Sequence, residues 1–317
     1  MTFFQILRVL LGNLLLGVAL FGASEARAVS VTNCGLSHTY ETPPERAITL
    51  NQHATELMLA LGLESRIIGT AYIDDDIAPQ YKATYDQIPV LAKKYPSREV
   101  ILASGTDFVF AGFKSAFGKQ VAGERPSLQQ RGIGSFLVSS ECLADGKHPD
   151  LSLLYQDIRQ LGEIFAVQNR AAILIAQLKT RAKPLAERFT GALPKALLFD
   201  SGDKTAFSAA CCGTASALMR LAGIDNIGGA LAGNWANLSW EAVVEADPDV
   251  IVLIDADWSS SDAKRRFLLS HPVLSQLRAV REAWLVSVPF SATVFGIHFI
   301  DNAVTLRRQV GNLLAEN

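Results

Sequence analysis

The sequence lacks an excess of charge of either sign. Its 317 residues include 29 Lys or Arg and 31 Asp or Glu, which gives a formal net charge of −2. The basic residues occur as short pairs, such as Lys93-Lys94 and Arg307-Arg308, rather than as a patch. Because nucleic-acid binding depends on clustered positive charge, we expect no nucleic-acid partner. Since 49% of the residues are hydrophobic, the chain can bury a core, which excludes a disordered protein.

The sequence also lacks the common catalytic motifs. It contains no G-x-S-x-G, no H-E-x-x-H and no P-loop, and Gly228-Gly229 follows a predicted helix rather than a strand. We therefore expect a protein that is not an enzyme. An exported hydrolase is the alternative, with Cys212 as a nucleophile activated near a helix start. No histidine lies within residues 199–223 to act as its base.

Histidine is scarce. The chain contains five histidines, His38, His53, His148, His271 and His298. Receptors for a bare transition-metal ion need several histidine and carboxylate ligands. His53 and His298 fall in loops that could face one cleft, and Asp74-Asp75-Asp76 could add carboxylates. A bare-metal receptor is therefore a second alternative, although packing or capping is the ordinary role of such histidines.

The one long hydrophobic run lies near the N-terminus. Val9–Gly22 is a mostly apolar segment of 14 residues, preceded by Arg8 and followed by the small-x-small cleavage site Ala26-Arg27-Ala28. A membrane-spanning helix needs about 20 residues, so this run is too short. We predict that residues 1–28 are a signal peptide and that the mature protein is soluble in the periplasm.

Four cysteines remain, Cys34, Cys142, Cys211 and Cys212, and none belongs to a C-x-x-C motif. An even number of cysteines in an exported chain favours disulfides, and four cysteines allow three pairings. Cys34 precedes the first predicted strand of the first half of the chain, and Cys142 follows the last one, so we predict a bridge between them. A bridge between the adjacent Cys211 and Cys212 would close a strained ring.

Short apolar runs alternate with amphipathic stretches over the rest of the chain. Predicted strands lie at residues 47–50, 67–70, 108–111, 135–138, 195–199, 250–254 and 284–288. This alternation is typical of parallel sheets covered by helices, so we predict an α/β fold with two Rossmann-like lobes. Between them, Asn169 is predicted to cap a long helix that runs to about Thr190 and is kinked by Pro184.

The predicted domains follow from this pattern. We assign residues 29–166 to an N-terminal lobe, residues 167–190 to one connecting helix and residues 191–317 to a C-terminal lobe.

A set of segments spread over the mature chain carries a family resemblance. They are Arg46–Glu56, Ala60–Gly62, Arg66–Gly69, Leu221–Ile227, Trp235, Leu238–Glu241 and Asp247–Ile251. They resemble the periplasmic substrate-binding proteins of ABC importers, of the class III, helical-backbone type that serves cobalamin and iron siderophores. In that family one long helix joins two α/β lobes and the ligand lies in the cleft between them.

A narrower resemblance rests on Gly69–Asp75, Val90–Ser97, Asp200–Asp203 and Cys34-Gly35. These segments are similar to a subgroup described as receptors for metal or iron chelates, or for a deazaflavin-cofactor precursor. The pair Cys211-Cys212 departs from that subgroup, in which small residues stand at these positions.

The resemblance implies the solute-binding component of an ABC importer. Such a protein would capture a metal chelate, siderophore, corrinoid or similar cofactor-sized ligand and deliver it to a permease dimer with its ATPase subunits. We expect a monomer with no cofactor of its own, so that a metal would arrive only as part of the ligand.

Ligands of open α/β sheets bind beyond the carboxyl ends of the strands, and this rule selects polar and aromatic residues in the loops that follow the strands. The predicted ligand contacts are Asn51, Gln52, Tyr72, Asp74, Phe113 and Lys114 in the first lobe and Ser201, Asp203, Trp235, Asp255, Trp258 and Ser291 in the second.

Two segments of the chain repeat one plan. Ser97–Val109 and Ser239–Ile251 both contain a Ser-x-Glu start, a helix and then Asp and a strand, with equal spacing. Glu99 and Glu241 take equivalent places in the first helical turn, where a carboxylate complements the helix dipole. The resemblance implies a second role, docking to the permease, because relatives of the cobalamin-binding type use a glutamate on each lobe for this purpose.

Overall fold

The computed structural model describes residues 28–144, 146–186 and 192–315. The predicted signal peptide lies outside these residues, apart from Ala28. The described residues form one large sheet in each half of the chain, and a two-stranded hairpin precedes the sheet of the first half. No helix in the described ranges is long and apolar enough to cross a membrane.

The elements of the first half are, in chain order, β1 (Val29–Asn33), β2 (Leu36–Tyr40), β3 (Ala47–Leu50), α1 (Gln52–Ala60), β4 (Ile67–Ala71), α2 (Pro79–Tyr85), β5 (Val90–Ala92), α3 (Arg98–Ala103), β6 (Phe108–Ala111), α4 (Arg125–Gln129), β7 (Gly134–Leu137) and α5 (Leu151–Ile164). Those of the second half are α6 (Gln168–Arg181), β8 (Lys195–Ser201), β9 (Thr205–Ala209), α7 (Thr214–Ala222), β10 (Asp225–Asn226), β11 (Trp235–Ser239), α8 (Trp240–Ala246), β12 (Val250–Asp255), α9 (Ser261–Ser270), α10 (Arg278–Arg281), β13 (Leu285–Pro289) and α11 (Phe299–Ala315).

The sheet of the N-terminal lobe is parallel, with the strand order β5-β4-β3-β6-β7. Strands β3, β6 and β7 are buried at every position, as expected for strands that are covered by helices on both faces. The register places Leu50 opposite both Ala71 and Ala111, so β3, β4 and β6 end side by side. The segments that follow these strands therefore meet at one edge of the sheet.

The hairpin β1–β2 is fastened to the end of β7. The side-chain amide of Asn33 donates a hydrogen bond to the carbonyl of Leu137 at 2.9 Å, and its oxygen accepts one from the Leu137 N–H at 2.9 Å. One residue later Cys34 forms a disulfide with Cys142, with the two Cα atoms 5.1 Å apart. This is the pairing that the order of the predicted strands favoured.

The sheet of the C-terminal lobe is mixed rather than wholly parallel. Its strand order is β11-β9-β8-β12-β13, with β10 beside the start of β8, and β9 and β11 run antiparallel to their neighbours. The chain reverses at Gly202, whose φ is +105° and where a Cβ would lie 2.3 Å from the Thr205 carbonyl oxygen. Only glycine fits this turn, which converts the expected strand-helix step into a strand-strand hairpin.

The connecting helix is shorter than the sequence predicted. It begins after Val167 rather than at a cap provided by Asn169, which lies inside its first turn. It ends at Arg181, and residues 183–186 form a single turn of 3-10 helix. Pro184 lacks the N–H that the helix would need there, and its ring would clash with the preceding turn. Residues 187–191, to which the prediction extended, lie outside the described residues.

The two lobes share one apolar cluster. It contains Leu57 and Phe108 from the N-terminal lobe together with Leu198 and Phe299 from the C-terminal lobe. Gly296 of the C-terminal lobe lies so close to His53 of the N-terminal lobe that a Cβ at Gly296 would come within 3.0 Å of the His53 Cβ. The lobes are therefore packed against each other and not joined only by the chain.

Candidate functional site

A cavity of about 920 Å³ lies between the two lobes. The segments that follow β3 and β4 form one wall, and those that follow β12 and β13, together with the start of α11, form the other. The lining residues are Gln52, Glu56, Ile73, Asp74, Asp75, Asp76, Ala78, Pro79, Gln80, Asp255, Ala256, Asp257, Ser260, Pro289, Ser291, His298, Asp301 and Asn302. The cavity thus occupies the place at which the carboxyl ends of parallel strands predict a ligand.

Helix α1 organises the N-terminal wall. Gln52, in its first turn, accepts a hydrogen bond from the Asp75 N–H at 2.8 Å and donates one to the Asp76 carbonyl at 3.1 Å. One turn later on the same face, Glu56 accepts a hydrogen bond from the Ala78 N–H at 3.0 Å. These bonds hold the segment after β4 against α1, so this wall is rigid before a ligand binds.

A direct hydrogen bond joins the two walls. The backbone N–H of Ser291, after β13, donates to Oδ2 of Asp75 at 2.6 Å. Nearby, Nε2 of His298 lies 3.5 Å from Oε2 of Glu56, and the Glu56 side chain is only 3% exposed. The structure therefore shows the lobes closed onto each other at one side of the cavity.

The lining of the cavity is strongly acidic. Its carboxylates are Glu56, Asp74, Asp75, Asp76, Asp255, Asp257 and Asp301, and no lysine or arginine is found among the described lining residues. Burial raises the pKa of Asp74 to about 7, and the neighbouring charges of Asp75 and Asp257 add to the effect. The pKa of Asp75 is also raised, chiefly by burial, although the hydrogen bond from Ser291 opposes the shift. The electrostatic potential inside the cavity is therefore negative.

An aromatic cluster lies beside this wall. Asn51 and Tyr72 follow β3 and β4 with the unusual φ values of 81° and 59°. The Tyr95 hydroxyl donates to Oδ1 of Asn51 at 3.1 Å, and the Tyr95 ring packs edge-on against Tyr72 with centroids 4.6 Å apart. The side-chain nitrogen Nδ2 of Asn51 is buried and has no hydrogen-bond partner among the described residues. Asn51 is thus held in a strained conformation with one polar group unused.

A smaller pocket of about 360 Å³ lies on the C-terminal side and is lined by Ser201, Asp203 and Trp258. Trp258 is 51% exposed, and its ring packs edge-on against Phe290 with centroids 4.8 Å apart. Its Nε1 and the Ser201 hydroxyl both donate to Oδ2 of Asp200, at 3.4 Å and 2.7 Å. Because Asp257 lines the large cavity and Trp258 follows it directly, the two pockets are neighbours.

The structure distributes the twelve predicted ligand contacts unequally. Gln52, Asp74, Asp255 and Ser291 line the large cavity, whereas Ser201, Asp203 and Trp258 line the smaller pocket. Asn51 and Tyr72 belong to the aromatic cluster. The remaining three, Phe113, Lys114 and Trp235, line neither of these pockets.

Each of these three has another environment. Phe113 packs against the ring of His53 at 5.1 Å. Lys114 is exposed, and its backbone N–H donates to Oε2 of Glu141 at 3.0 Å. Trp235 lies on β11 and stacks on Phe207 with ring centroids 5.6 Å apart.

The two histidines considered as metal ligands lie in different environments. His53 is buried, which lowers its pKa to about 4, and its ring donates to the Gly112 carbonyl. His298 lines the cavity, whereas His53 does not. In the part of the chain that the structure describes, no group of three or more His, Cys, Asp or Glu side chains is arranged to hold a metal ion. A closed shell for a bare metal ion is therefore not formed by the described residues.

The pair Cys211 and Cys212 forms a disulfide, with the Cα atoms 3.7 Å apart. The carbonyl oxygen of Cys211 lies 3.1 Å from Nδ1 of His148, which comes from the N-terminal half of the chain. Cys211 lines a separate pocket of about 730 Å³ and does not line the acidic cavity. The departure at these positions from the resembled subgroup therefore does not alter the wall of the acidic cavity.

Glu99 and Glu241 take equivalent positions in α3 and α8. Ser97 caps α3 by accepting a hydrogen bond from the Val100 N–H, and Ser239 caps α8 by accepting one from the Ala242 N–H. Both glutamates are exposed in the first turn of their helix. A hydrogen bond from Ser97 lowers the pKa of Glu99. Both side chains are therefore available to a partner.

Several lining residues were not found by sequence reasoning. The rule that selects loops after strands does not reach Glu56 or Asp301, which lie on helices. Glu56 could have been found because it stands four residues after Gln52, on the same face of a helix. Asp257 stands two residues beyond the predicted Asp255. Tyr95, which belongs to the aromatic cluster and lines neither pocket, follows a strand too short to recognise.

Two lobes of this kind, closed over a cavity at the carboxyl ends of parallel strands, define a ligand-binding protein. The profile of the periplasmic binding protein family matches residues 48–292. The chain belongs to this family, which confirms the resemblance drawn from its motifs. No curated protein matches the sequence.

Solved structures give the same answer for the fold. A periplasmic binding protein from Veillonella parvula DSM 2008 is 26% identical, with a TM-score of 0.79, over 90% of this chain and 98% of that one. A protein of an ABC-type Fe3+-hydroxamate transport system from Saccharomonospora viridis DSM 43017 is 25% identical, with a TM-score of 0.72, over 89% and 99%. A periplasmic heme-binding protein from Roseiflexus sp. RS-1 is 21% identical, with a TM-score of 0.68, over 85% and 98%. The predicted two-lobe α/β fold is confirmed.

Proposed function

We propose that the chain is the solute-binding component of an ABC importer, located in the periplasm, which captures a metal chelate, siderophore, corrinoid or similar cofactor-sized ligand. The single observation that carries the proposal is the cavity of about 920 Å³ between the lobes. Ligand sites for molecules of this size occupy about 300–1,000 Å³, whereas a bare ion is held by a few side chains in contact with it. The metal is then cargo and is bound only through its chelator.

The similar structures support the same class of ligand, since one belongs to an Fe3+-hydroxamate transport system and another binds heme. Family membership supports delivery of the ligand to a permease with ATPase subunits. The hydrolase alternative needs a free Cys212 thiolate, whereas Cys212 is bonded to Cys211 and is 5% exposed.

Native mass spectrometry of the protein purified from periplasm tests the proposal. We expect an organic ligand of chelate or cofactor size in a one-to-one complex, released when the protein is denatured. A tightly held metal ion without a chelator would overturn the proposal in favour of a metal receptor. Turnover of ester or thioester substrates, lost in Cys212→Ser, would overturn it in favour of the hydrolase.

A further inference from the structure

The carboxylates of the cavity are poorly compensated by positive charge. Arg181 forms an ion pair with Asp301. Burial lowers the pKa of Lys264, and the nearby charges of Asp200 and Asp255 oppose this shift. Lys264 is buried and donates to the backbone carbonyls of Ile254 and Ser259, so it does not reach into the cavity. Within the described chain, Asp74, Asp76 and Asp257 have no ion-pair partner.

A buried group on the wall is also incompletely satisfied. Oε1 of Glu56 accepts a hydrogen bond from the Ala78 N–H at 3.0 Å and lies 3.5 Å from the Gln52 amide nitrogen, whereas Oε2 has only the ring nitrogen of His298, also at the long distance of 3.5 Å. That nitrogen is itself buried and has no hydrogen-bond partner among the described residues. Both residues line the cavity, and the Glu56 side chain is 3% exposed. A ligand group with two N–H bonds, such as an ammonium, would donate to Oε2 of Glu56 and, in the Nδ1–H tautomer of His298, to its Nε2 as well.

The carboxylates also face each other across the gap between the lobes. Asp74 and Asp75 on one wall interact unfavourably with Asp257 on the other. Closure of an empty cleft therefore brings like charges together in a partly desolvated space, where their repulsion is less screened than in water. A positive charge on the ligand would convert this repulsion into attraction.

We propose that the cavity selects a ligand that presents a net positive charge, carried by a cationic metal complex or by an ammonium group of the chelator, to the wall formed by Glu56, Asp74 and Asp257. This inference rests on the proposed function and specifies its ligand class. It separates this protein from a receptor for ligands that carry carboxylates, such as heme with its two propionates, because those groups would meet the acidic lining.

The experiment uses two octahedral, substitution-inert trivalent ions of opposite sign, hexamminecobalt(III) and hexacyanoferrate(III). Neither exchanges its ligands readily, so each reports the field of the cleft rather than metal coordination. Equilibrium dialysis against the ligand-free mature protein measures the affinity of each ion at low and high salt. The test variant is Asp74→Asn with Asp257→Asn, and the matched control is Glu64→Gln with Glu245→Gln, which neutralises one exposed carboxylate per lobe outside the cavity.

We expect the wild-type protein and the control to bind hexamminecobalt(III), and the Asp74/Asp257 variant to bind it about tenfold more weakly or worse. Hexacyanoferrate(III) should bind to none of them. The thermal midpoint of the ligand-free Asp74/Asp257 variant should rise, because the repulsion across the gap is removed. Equal affinity of the cation for wild type and this variant, or binding of the anion as tight as that of the cation, would overturn the inference.

Identification of the native ligand tests the proposed function separately. If mass spectrometry finds a neutral or anionic chelate in the cleft, the inference about charge is wrong and the proposed function stands. If it finds a bare metal ion, the proposed function is wrong even though the cavity attracts cations.

Discussion

The two lobes contribute to the cavity in different ways. The N-terminal lobe supplies Gln52 and Glu56, which are buried on α1 and already hydrogen-bonded to the segment after β4. The C-terminal lobe supplies Asp257 to the cavity and Trp258 to the smaller pocket beside it, and both residues are exposed. A side chain that is held in place loses little conformational freedom when a ligand binds, whereas an exposed one has to be ordered. The N-terminal wall is therefore preorganised, and the C-terminal wall can adapt to the ligand.

The sheets of the two lobes also differ, since one is parallel and the other is mixed. The parallel N-terminal sheet ends in closely spaced loops after β3, β4 and β6. The C-terminal sheet includes the antiparallel strands β9 and β11, and its hairpin at Gly202 lies beside the smaller pocket. Variation in that hairpin would reshape the smaller pocket without disturbing the N-terminal wall.

Removal of the disulfide in each lobe should give the largest difference in stability between matched variants of the two lobes. Cys34 and Cys142 are separated by 108 residues, so their bond restricts the unfolded chain strongly, whereas Cys211 and Cys212 are adjacent. We expect Cys34→Ser with Cys142→Ser to lower the free energy of unfolding by about 4–5 kcal/mol. The Cys211→Ser, Cys212→Ser double variant should lose much less free energy of unfolding, because a bond between adjacent residues restricts the unfolded chain very little. Urea unfolding of both double variants makes the comparison, and equal losses would contradict it.

Two tryptophans of the C-terminal lobe separate stability from binding. Trp240 is 7% exposed and packs in the core against Phe199, so Trp240→Ala should lower the free energy of unfolding by about 3–5 kcal/mol. Trp258 is exposed beside the cavity, so Trp258→Ala should leave stability nearly unchanged and weaken binding of the native ligand by about 1–3 kcal/mol. Denaturant unfolding and calorimetric titration measure the two quantities. If Trp258→Ala binds normally, the ligand does not extend into the smaller pocket.

The packing of His53 within the N-terminal lobe can be tested at Gly112. A Cβ there would lie 2.1 Å from Nε2 of the buried His53, so Gly112→Ala should lower the free energy of unfolding by about 1–3 kcal/mol through overpacking. Gly118→Ala is the matched control, because its Cβ would approach nothing closer than 3.4 Å and its φ is −70°. Denaturant unfolding of the two variants gives the comparison. If they prove equally stable, Gly112 is not packed against His53 as closely as the structure shows.

The affinity of the cavity for cations should depend on pH through Asp74. Its pKa is raised to about 7, so the carboxyl gains a proton and loses its negative charge as the pH falls from about 8 to about 6. Binding of hexamminecobalt(III) should weaken over this range. In Asp74→Asn the affinity should be lower at pH 8 and flatter with pH. This comparison isolates Asp74 from Asp157 and His53, whose shifted pKa values of about 7 and about 4 lie in or near the same range. A wild-type affinity that is constant between these pH values would contradict the assignment.

Sequence patterns could predict the longer parallel strands, but not the short parallel strands β5 and β10 or the antiparallel strands β9 and β11. Strands such as β6 and β12 are continuous apolar runs, which is the pattern of a strand buried on both faces. Strand β9, with the sequence TAFSA, has small residues and no strong alternation, and it is a strand because β8 and β11 pair with it. Its hairpin was signalled only by Gly202. Tertiary pairing therefore decided what local sequence left open.

The same limit applies to the site. Gln52, Asp74 and Ser291 follow strands and Asp255 ends one, and topology alone predicts where such residues lie. Glu56 and Asp301 come from helices, and their place in the cavity depends on how α1 and α11 are turned toward it. That orientation is set by packing of the apolar faces of these helices, which the order of elements does not determine. The acidic character of the cavity therefore became visible only in the structure.

The smallest expected effect on binding and stability concerns the equivalent glutamates, one on each lobe. Glu99 and Glu241 are exposed, line neither pocket and stand in the first turns of α3 and α8, where they complement the helix dipoles. Glu99→Ala with Glu241→Ala should leave ligand affinity and the thermal midpoint nearly unchanged. Exposed charges at an interface set orientation and association rate, so the double variant should deliver its ligand more slowly to the cognate transporter in reconstituted vesicles. Glu64→Ala with Glu282→Ala, which removes one exposed carboxylate per lobe outside α3 and α8, should transport normally. Full transport by the Glu99/Glu241 variant would leave these residues with the helix-dipole role alone.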